Sequence, residues 1–115
     1  MSIFPVRASG DENVLKHIFP TKQADIQKLL EYVKSSSEIK KVIVFGSAVT
    51  WQCRLTSDID IAVQYVSNRK FADIAADLRI QMTSECDVVD YDDIHSTLLK
   101  QEIDKKGVII YDRNA

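Results

Sequence analysis

Apolar residues recur along this chain at two spacings, one typical of helices and the other of strands. Three segments place them every three or four positions, which predicts amphipathic helices with one buried face. The three apolar stripes are Ala24, Ile26, Leu29, Leu30 and Val33; Phe71, Ile74, Ala75, Leu78 and Met82; and Ile94, Leu98, Leu99 and Ile103. Helix ends are predicted at Thr21, Ser67, Asp92 or Asp93 as starts and at Gly107 as a C′ position.

Four shorter runs are rich in apolar residues at strand spacing, at positions 42–45, 57–63, 85–91 and 108–111. Their order with the helices is helix, strand, strand, helix, strand, helix, strand. That order predicts an α/β fold, with a small mixed β-sheet covered by helices on at least one face. We expect one domain over residues 21–115, preceded by an arm of residues 1–20 that forms either a short strand or an extended segment.

Composition narrows the class of protein. The chain has 115 residues, 45% of them apolar and 28% charged, which is ordinary for a single globular domain. A formal net charge of −2 argues against general nucleic-acid binding. No apolar run approaches the roughly 20 residues of a membrane span. The two cysteines, Cys53 and Cys86, are not in a Cys-x-x-Cys arrangement. We therefore expect reduced thiols and a cytoplasmic location.

The most informative stretch joins the first two predicted strands. Alternation along the second strand places Asp58 and Asp60 on one face and apolar residues on the other. Two adjacent carboxylates repel each other unless a cation lies between them, and Mg²⁺ prefers such oxygen ligands. The first strand ends at Gly46 and Ser47, which offer backbone N–H groups, close backbone approach and a hydroxyl to an anion. These are parts needed for phosphoryl or nucleotidyl transfer.

The complete pattern is a strand, Gly-Ser, ten residues (48–57), Asp-Ile-Asp, and an apolar strand. It closely resembles the polymerase β-like nucleotidyltransferase superfamily, in particular its small stand-alone members, the minimal nucleotidyltransferases. The resemblance implies a single nucleotidyltransferase-fold domain and a third acid on a later strand. Asp87 fits that position, because alternation places its rival Asp90 on the opposite strand face. The resemblance to the family covers roughly residues 24–111.

The resemblance also implies roles for these residues. Asp58, Asp60 and Asp87 would be the catalytic and metal-binding acids, holding two Mg²⁺ ions, with Mn²⁺ as a substitute. Gly46, Ser47 and Ser57 would contact the nucleotide. The family often has a basic residue just after Gly-Ser, where this chain has Ala48-Val49-Thr50-Trp51. Arg54 could supply that charge or be a solvated loop residue. Trp51 could stack on a base, although packing on the core is the commoner role of such a residue.

Three functions fit this pattern. The first, which we favour, transfers a nucleoside monophosphate, AMP from ATP, to a hydroxyl of a HEPN-domain partner, since family members of this size resemble antitoxins of such proteins. The second acts on a small molecule such as an aminoglycoside, which usually needs an extra domain. The third is a non-catalytic, antitoxin-like binding module. The acid triad weighs against the third function and the atypical Gly-Ser loop weighs for it.

Overall fold

A computed structural model describes residues 6–7, 15–50, 53–54 and 56–113. Its helices are α1 (Gln23–Ser35), α2 (Phe71–Arg79) and α3 (Thr97–Lys106). Its strands are β1 (Val6–Arg7), β2 (Ile39–Phe45), β3 (Ile59–Tyr65), β4 (Cys86–Asp90) and β5 (Val108–Asp112). The strands form one sheet in the order β1-β5-β2-β3-β4. The predicted α/β class is confirmed.

Both kinds of strand pairing occur in the sheet, as predicted. The central strand β2 runs antiparallel to β3 and to β5. The outer pairs, β3 with β4 and β1 with β5, are parallel. The two-residue strand β1 is the part of the N-terminal arm that joins the sheet. Because β3 and β4 are parallel neighbours, residues that follow the same alternation on the two strands lie side by side.

Helices pack on both faces of the sheet. Helices α1 and α2 cover one face and form the larger core with alternate strand residues, including Val44, Ile59 and Ile61. Helix α3 covers the other face through Ile103, which packs with Ile43, Phe45, Ala62 and Ile109. The smaller core stops at the acidic end of that face, since Ala62 is followed towards the start of β3 by Asp60.

The helix ends differ from several predictions. A 3₁₀ turn (Pro20–Lys22) precedes α1, and Thr21 is not its N-cap. Ser96 caps α3 by accepting a hydrogen bond from Leu99 N at 3.2 Å, so neither Asp92 nor Asp93 does so. Gly107 has ordinary φ −69° rather than a left-handed conformation. A Cβ there would lie 2.5 Å from Ile103 O, so crowding explains this glycine.

Two stripe residues predicted to be buried are exposed, and a polar residue takes the place of one. Ala24 faces solvent, whereas its neighbour Asp25 is buried in the first turn of α1. The Asp25 carboxylate accepts hydrogen bonds from Thr83 N at 2.9 Å and from Ser84 N at 3.0 Å. These bonds fasten α1 to the segment before β4. Leu98, on α3, is 80% exposed.

None of the helices in the described ranges is both long and apolar enough to cross a membrane.

Candidate active site

Asp60 and Asp87 lie beside each other at the start of the parallel strands β3 and β4. They are direct partners in the strand register. Both belong to the sheet face that α3 covers, because the neighbouring residues on their strands, Ala62 and Val89, pack with the α3 core. Asp60 is half-buried and Asp87 is exposed. The structure thus brings together two of the three acids singled out in the sequence.

Gly46 forms the wall of the site on the side of β2. Its predecessor Phe45 is the register partner of Asp60 on β2. Gly46 has φ +74°, the left-handed region that favours glycine, and begins the 3₁₀ turn Gly46–Val49. A Cβ at this position would collide with Asp60 Oδ2. The chain therefore needs glycine here both for the backbone angle and to leave room for the Asp60 carboxylate.

The Asp60 carboxyl group titrates far from its ordinary range. Burial is the main reason that its pKa is raised from 3.8 to about 6, and the negative charges of Asp87, Asp58 and Glu102 add to it. A hydrogen bond with Asp87 favours the protonated form in the same direction. The pair therefore holds excess negative charge at neutral pH, which a cation would relieve.

Asp58 lies just before β3 rather than within it, since the strand begins at Ile59. Its side chain is exposed, and its charge reaches Asp60. The prediction that both acids lie on one strand was thus wrong for Asp58 and right for Asp60. The hydrogen bond from Ile59 N to Glu85 O at 2.9 Å fixes the start of the strand one residue later.

Asp90, the rival of Asp87, has other partners. Its Oδ2 accepts a hydrogen bond from the Tyr65 hydroxyl at 3.2 Å. Its Oδ1 accepts one from Asp92 N at 3.2 Å, which caps the 3₁₀ turn Tyr91–Asp93. Alternation along β4 places it on the face opposite Asp87. Asp90 therefore serves the fold, and Asp87 is the acid next to Asp60.

The predicted nucleotide-binding residues lie on the turns beside the acids. No described residue hydrogen-bonds the Ser47 hydroxyl, whose own carbonyl accepts from Thr50 N at 3.0 Å. Ser57 Oγ accepts from Arg54 N at 2.9 Å, so this hydroxyl helps close its own turn. The Arg54 side chain is exposed. Trp51, predicted to pack or to stack on a base, lies outside the described residues.

Glu102 is a fourth acid that the sequence pattern did not single out. It precedes the buried Ile103 on α3, and its charge is among the causes that raise the pKa of Asp60. No sequence signal marks it, because its place beside Asp60 depends on how Ile103 packs on the sheet. The cysteines offer no nucleophile at this site, because both are buried and burial raises the pKa of Cys86 to about 12.

A separate cavity of about 510 Å³ lies beyond the Gly46–Val49 turn. It is lined by residues 16–20 with Val49 and Thr50. Ile18, in this lining, and Ala48, next to it, belong to the core beneath α1 and α2. The cavity is therefore on the opposite side of the sheet from Asp60 and Asp87, and none of its described lining residues is an acid.

The acid pair has the chemistry of a site for a hard divalent cation. Two carboxyl groups lie side by side there, and Gly46 leaves room for the Asp60 carboxylate. Within the described ranges, no three His, Cys, Asp or Glu side chains meet closely enough to form a complete metal-binding group. Asp60 and Asp87 would thus hold a cation incompletely. Further oxygen ligands, such as phosphate oxygens, would have to complete the coordination.

Comparison with known structures gives several similar folds. One is a complex of the toxin-antitoxin MntA-HepT, with 23% identity, a TM-score of 0.56, and coverage of 78% of this chain and 72% of that one. Another is a toxin-antitoxin with AMP-PNP, with 26% identity, a TM-score of 0.59, and coverage of 82% and 74%. A third is the Shewanella oneidensis complex of a tri-AMPylated HEPN toxin with an MNT antitoxin, with 23% identity, a TM-score of 0.53, and coverage of 76% and 72%.

No curated protein matches the sequence. The profile of one family, described as polymerase beta, nucleotidyltransferase, matches residues 27–115. That span includes the Gly46 turn, both strands that carry the acids, and α3. This chain belongs to the polymerase β nucleotidyltransferase family.

Proposed function

We propose that this chain transfers AMP from ATP to a hydroxyl group of a HEPN-domain protein encoded beside it, in a reaction that requires Mg²⁺. The observation that carries the proposal is the register pair Asp60 and Asp87 with Gly46 against it. Adjacent carboxylates and an open glycine turn are what transfer at a phosphate requires, since they bind cations and let phosphate approach the backbone.

The reaction is a displacement at phosphorus. The acceptor oxygen forms a bond to the α-phosphorus, the bond from that phosphorus to the bridging oxygen breaks, and pyrophosphate leaves with the electron pair. Asp58, Asp60 and Asp87 would hold Mg²⁺, as two ions in the mechanism that the family pattern implies, and the metal would supply charge neutralisation at the phosphates. Asp60 and Asp58 face the nucleotide, and the exposed Asp87 takes the acceptor side, where its carboxylate can receive the hydroxyl proton. Gly46 and the Ser47 hydroxyl contact the β- and γ-phosphates.

The choice of nucleotide and acceptor rests on the similar structures. One of those complexes holds AMP-PNP, and another holds a HEPN toxin that carries AMP. This chain matches each over more than two thirds of that chain's length. A HEPN-domain protein would present the acceptor hydroxyl from a second chain, as a partner of the kind found in the similar complexes.

Mass spectrometry of the acceptor tests the function. Incubation of the chain with the neighbouring HEPN protein, ATP and Mg²⁺ should raise the acceptor's mass by whole AMP units. Asp58→Ala/Asp60→Ala should abolish the increase and retain partner binding. A matched control, Glu31→Ala/Asp73→Ala, removes two exposed acids from α1 and α2 and should transfer normally. No increase in mass with the wild-type chain would refute the proposed enzymatic activity. If the double variant neutralised the HEPN partner as fully as the wild-type chain does, the chain would be a non-catalytic, antitoxin-like binding module.

Calorimetry tests the cation. We expect Mg²⁺ alone to bind weakly and AMP-PNP to bind much more tightly with Mg²⁺ than without it, because phosphate oxygens complete the coordination. Mn²⁺ should substitute. Equal AMP-PNP affinity with and without a divalent cation would contradict the metal-binding role of the acids.

A further inference from the structure

Helix α3 has three faces, and only two of them are engaged in the described fold. Its buried face carries Ile103, which packs on the sheet beside Ala62. A second face is tied to Tyr91, whose hydroxyl donates to Asp104 Oδ1 at 2.8 Å and whose ring lies 3.3 Å beneath Lys100 Nζ. The third face is a stripe at helical spacing, and we call it the α3 stripe: Leu98, Gln101, Glu102, Lys105 and Lys106.

The side chains of the α3 stripe have no partner in the part of the chain that the structure describes. None of them forms a side-chain hydrogen bond or an ion pair there, in contrast to Lys100 and Asp104 on the adjacent face. The stripe lines a shallow groove of about 320 Å³. At its first turn Leu98 is 80% exposed, so the stripe offers an apolar side chain at one end and two lysines at the other.

The groove adjoins the acid pair. Glu102, in the middle of the stripe, precedes Ile103, which packs with Phe45, the register partner of Asp60. Ile103 anchors this turn of α3 to the same sheet face as Asp60. Helix α3 ends at Lys106, and Val108 pairs with Val44, the neighbour of the Asp60 partner Phe45. The two lysines therefore lie at the end of the groove nearer the acids, and Leu98 lies at the far end.

We propose that the α3 stripe is the docking surface for the protein segment that carries the acceptor hydroxyl. The inference rests on the proposed function and specifies how that acceptor is recognised. Charge complementarity selects the occupant: an acidic side chain pairs with Lys105 and Lys106, and an apolar side chain covers Leu98. Seven to eight helical residues separate these anchors by ~11 Å. An extended segment spans that distance in roughly three or four residues, so the hydroxyl residue and the acidic one lie at the same end of the segment, with the apolar one at the other end.

Steady-state transfer of AMP to the neighbouring HEPN protein tests the docking surface. We expect Leu98→Asp and Lys105→Glu/Lys106→Glu each to raise the KM for the protein acceptor about tenfold or more, with a much smaller change in kcat. The matched controls are Ile80→Asp, since Ile80 is likewise 80% exposed, and Lys28→Glu/Lys70→Glu, which makes the same change in charge on other surfaces. Both controls should keep the wild-type KM. Thermal melting and AMP-PNP affinity of each variant separate loss of docking from damage to the fold or to the acids.

Each failure has its own signature. Acceptor KM values within twofold of wild type in both stripe variants would overturn the docking surface and leave the proposed function standing. Absence of transfer by the wild-type chain would overturn the proposed function itself. Sedimentation of the isolated chain tests whether a second copy occupies the groove. If the chain formed a dimer that Leu98→Asp dissociated and Ile80→Asp did not, the groove would be a self-association surface and the proposal would be overturned.

Discussion

Asp60 and Asp87 occupy the same register position on two parallel strands, on the sheet face that α3 covers. The two acids cannot easily move apart, because each sits on a backbone held by the sheet. Moving one away would require β3 or β4 to shift its register, which would turn every following side chain to the wrong face. The sheet therefore maintains a repulsion that favours the unfolded state and is useful only when something positive binds.

The burial of Asp60 and the repulsion by its acidic neighbours together predict an unusual dependence of stability on pH. The Asp60 pKa is about 6 in the folded chain and 3.8 in the unfolded one, so the folded chain binds more protons between these values. The free energy of unfolding of the cation-free protein should therefore fall as the pH rises from about 4 to about 6. Asp60→Asn should remove that fall and stabilise the chain at pH 7 by on the order of 1 kcal/mol, a figure discounted for solvent screening of a partly exposed group.

Urea unfolding in EDTA at pH 4.5 and pH 7.5 measures the effect. The difference in unfolding free energy between Asp60→Asn and wild type should be larger at the higher pH. A constant difference across this interval would contradict the raised pKa of Asp60 in the folded chain.

A second prediction concerns Gly46. An alanine there must adopt the left-handed φ of +74°, which costs roughly 1–2 kcal/mol, and its Cβ would displace the Asp60 carboxylate. We expect Gly46→Ala to be folded but less stable, and to bind Mg²⁺ with AMP-PNP at least about tenfold more weakly.

Gly107→Ala is the matched control for that experiment. Its Cβ would crowd Ile103 O and Ile43 Cγ2, on the α3 side of the sheet but away from Asp60. It should lower the melting temperature and change the affinity for AMP-PNP much less. Equal losses of affinity in the two variants would mean that Gly46 acts through stability alone. Calorimetry at a temperature where both are folded distinguishes the outcomes.

Alternation was sufficient to find the centre of the site. A period of two residues separates Asp87 from Asp90 on any strand, whatever its neighbours, so the sequence could assign them to opposite faces. The same rule failed for Asp58, because a strand's first residue depends on a hydrogen bond to another strand, here from Ile59 N to Glu85 O. The roles of all these acids in catalysis stay predictions.

The remaining features depend on contacts between distant segments, which no local pattern contains. Asp25 is buried because Thr83 and Ser84 supply its hydrogen bonds, and they lie 58 and 59 residues later in the chain. Glu102 belongs to the site because Ile103 docks α3 on the sheet face that carries Asp60. The apolar stripe assigned to α3 included Leu98, and only the placement of the helix reveals that this residue faces outward.

A third prediction concerns the buried Asp25. Burial opposes its ionisation, but the hydrogen bonds from Thr83 and Ser84 outweigh burial and lower its pKa to about 2. Since the pKa is lower in the folded chain, Asp25 stabilises the fold above about pH 4 and loses this effect as the pH falls towards 2.

Asp25→Ala should therefore lower the free energy of unfolding at pH 7 by about 2–3 kcal/mol, because it leaves two backbone N–H groups unpaired. Asp25→Asn, which retains one acceptor oxygen, should cost less. AMP-PNP affinity should stay at the wild-type value in both variants, since Asp25 lies on the opposite face of the sheet. Urea unfolding and calorimetry measure the two effects, and a weakened affinity in the folded Asp25→Asn variant would contradict a purely structural role.

The last prediction separates the two acids of β4. Asp87→Asn removes a carboxylate beside Asp60 on the acceptor side, so we expect AMP transfer to fall by roughly a hundredfold while binding of AMP-PNP is largely retained. Asp90→Asn retains an oxygen that can accept from the Tyr65 hydroxyl and from Asp92 N, so transfer should stay near wild type. The two substitutions change the charge equally, three residues apart on one strand, and each therefore controls for the other. Single-turnover transfer to the HEPN acceptor, with calorimetry for AMP-PNP, measures both variants. If Asp90→Asn lost transfer and Asp87→Asn retained it, the acid beside Asp60 would not be the one that serves the acceptor, and the orientation of nucleotide and acceptor across β3 and β4 would have to be reversed.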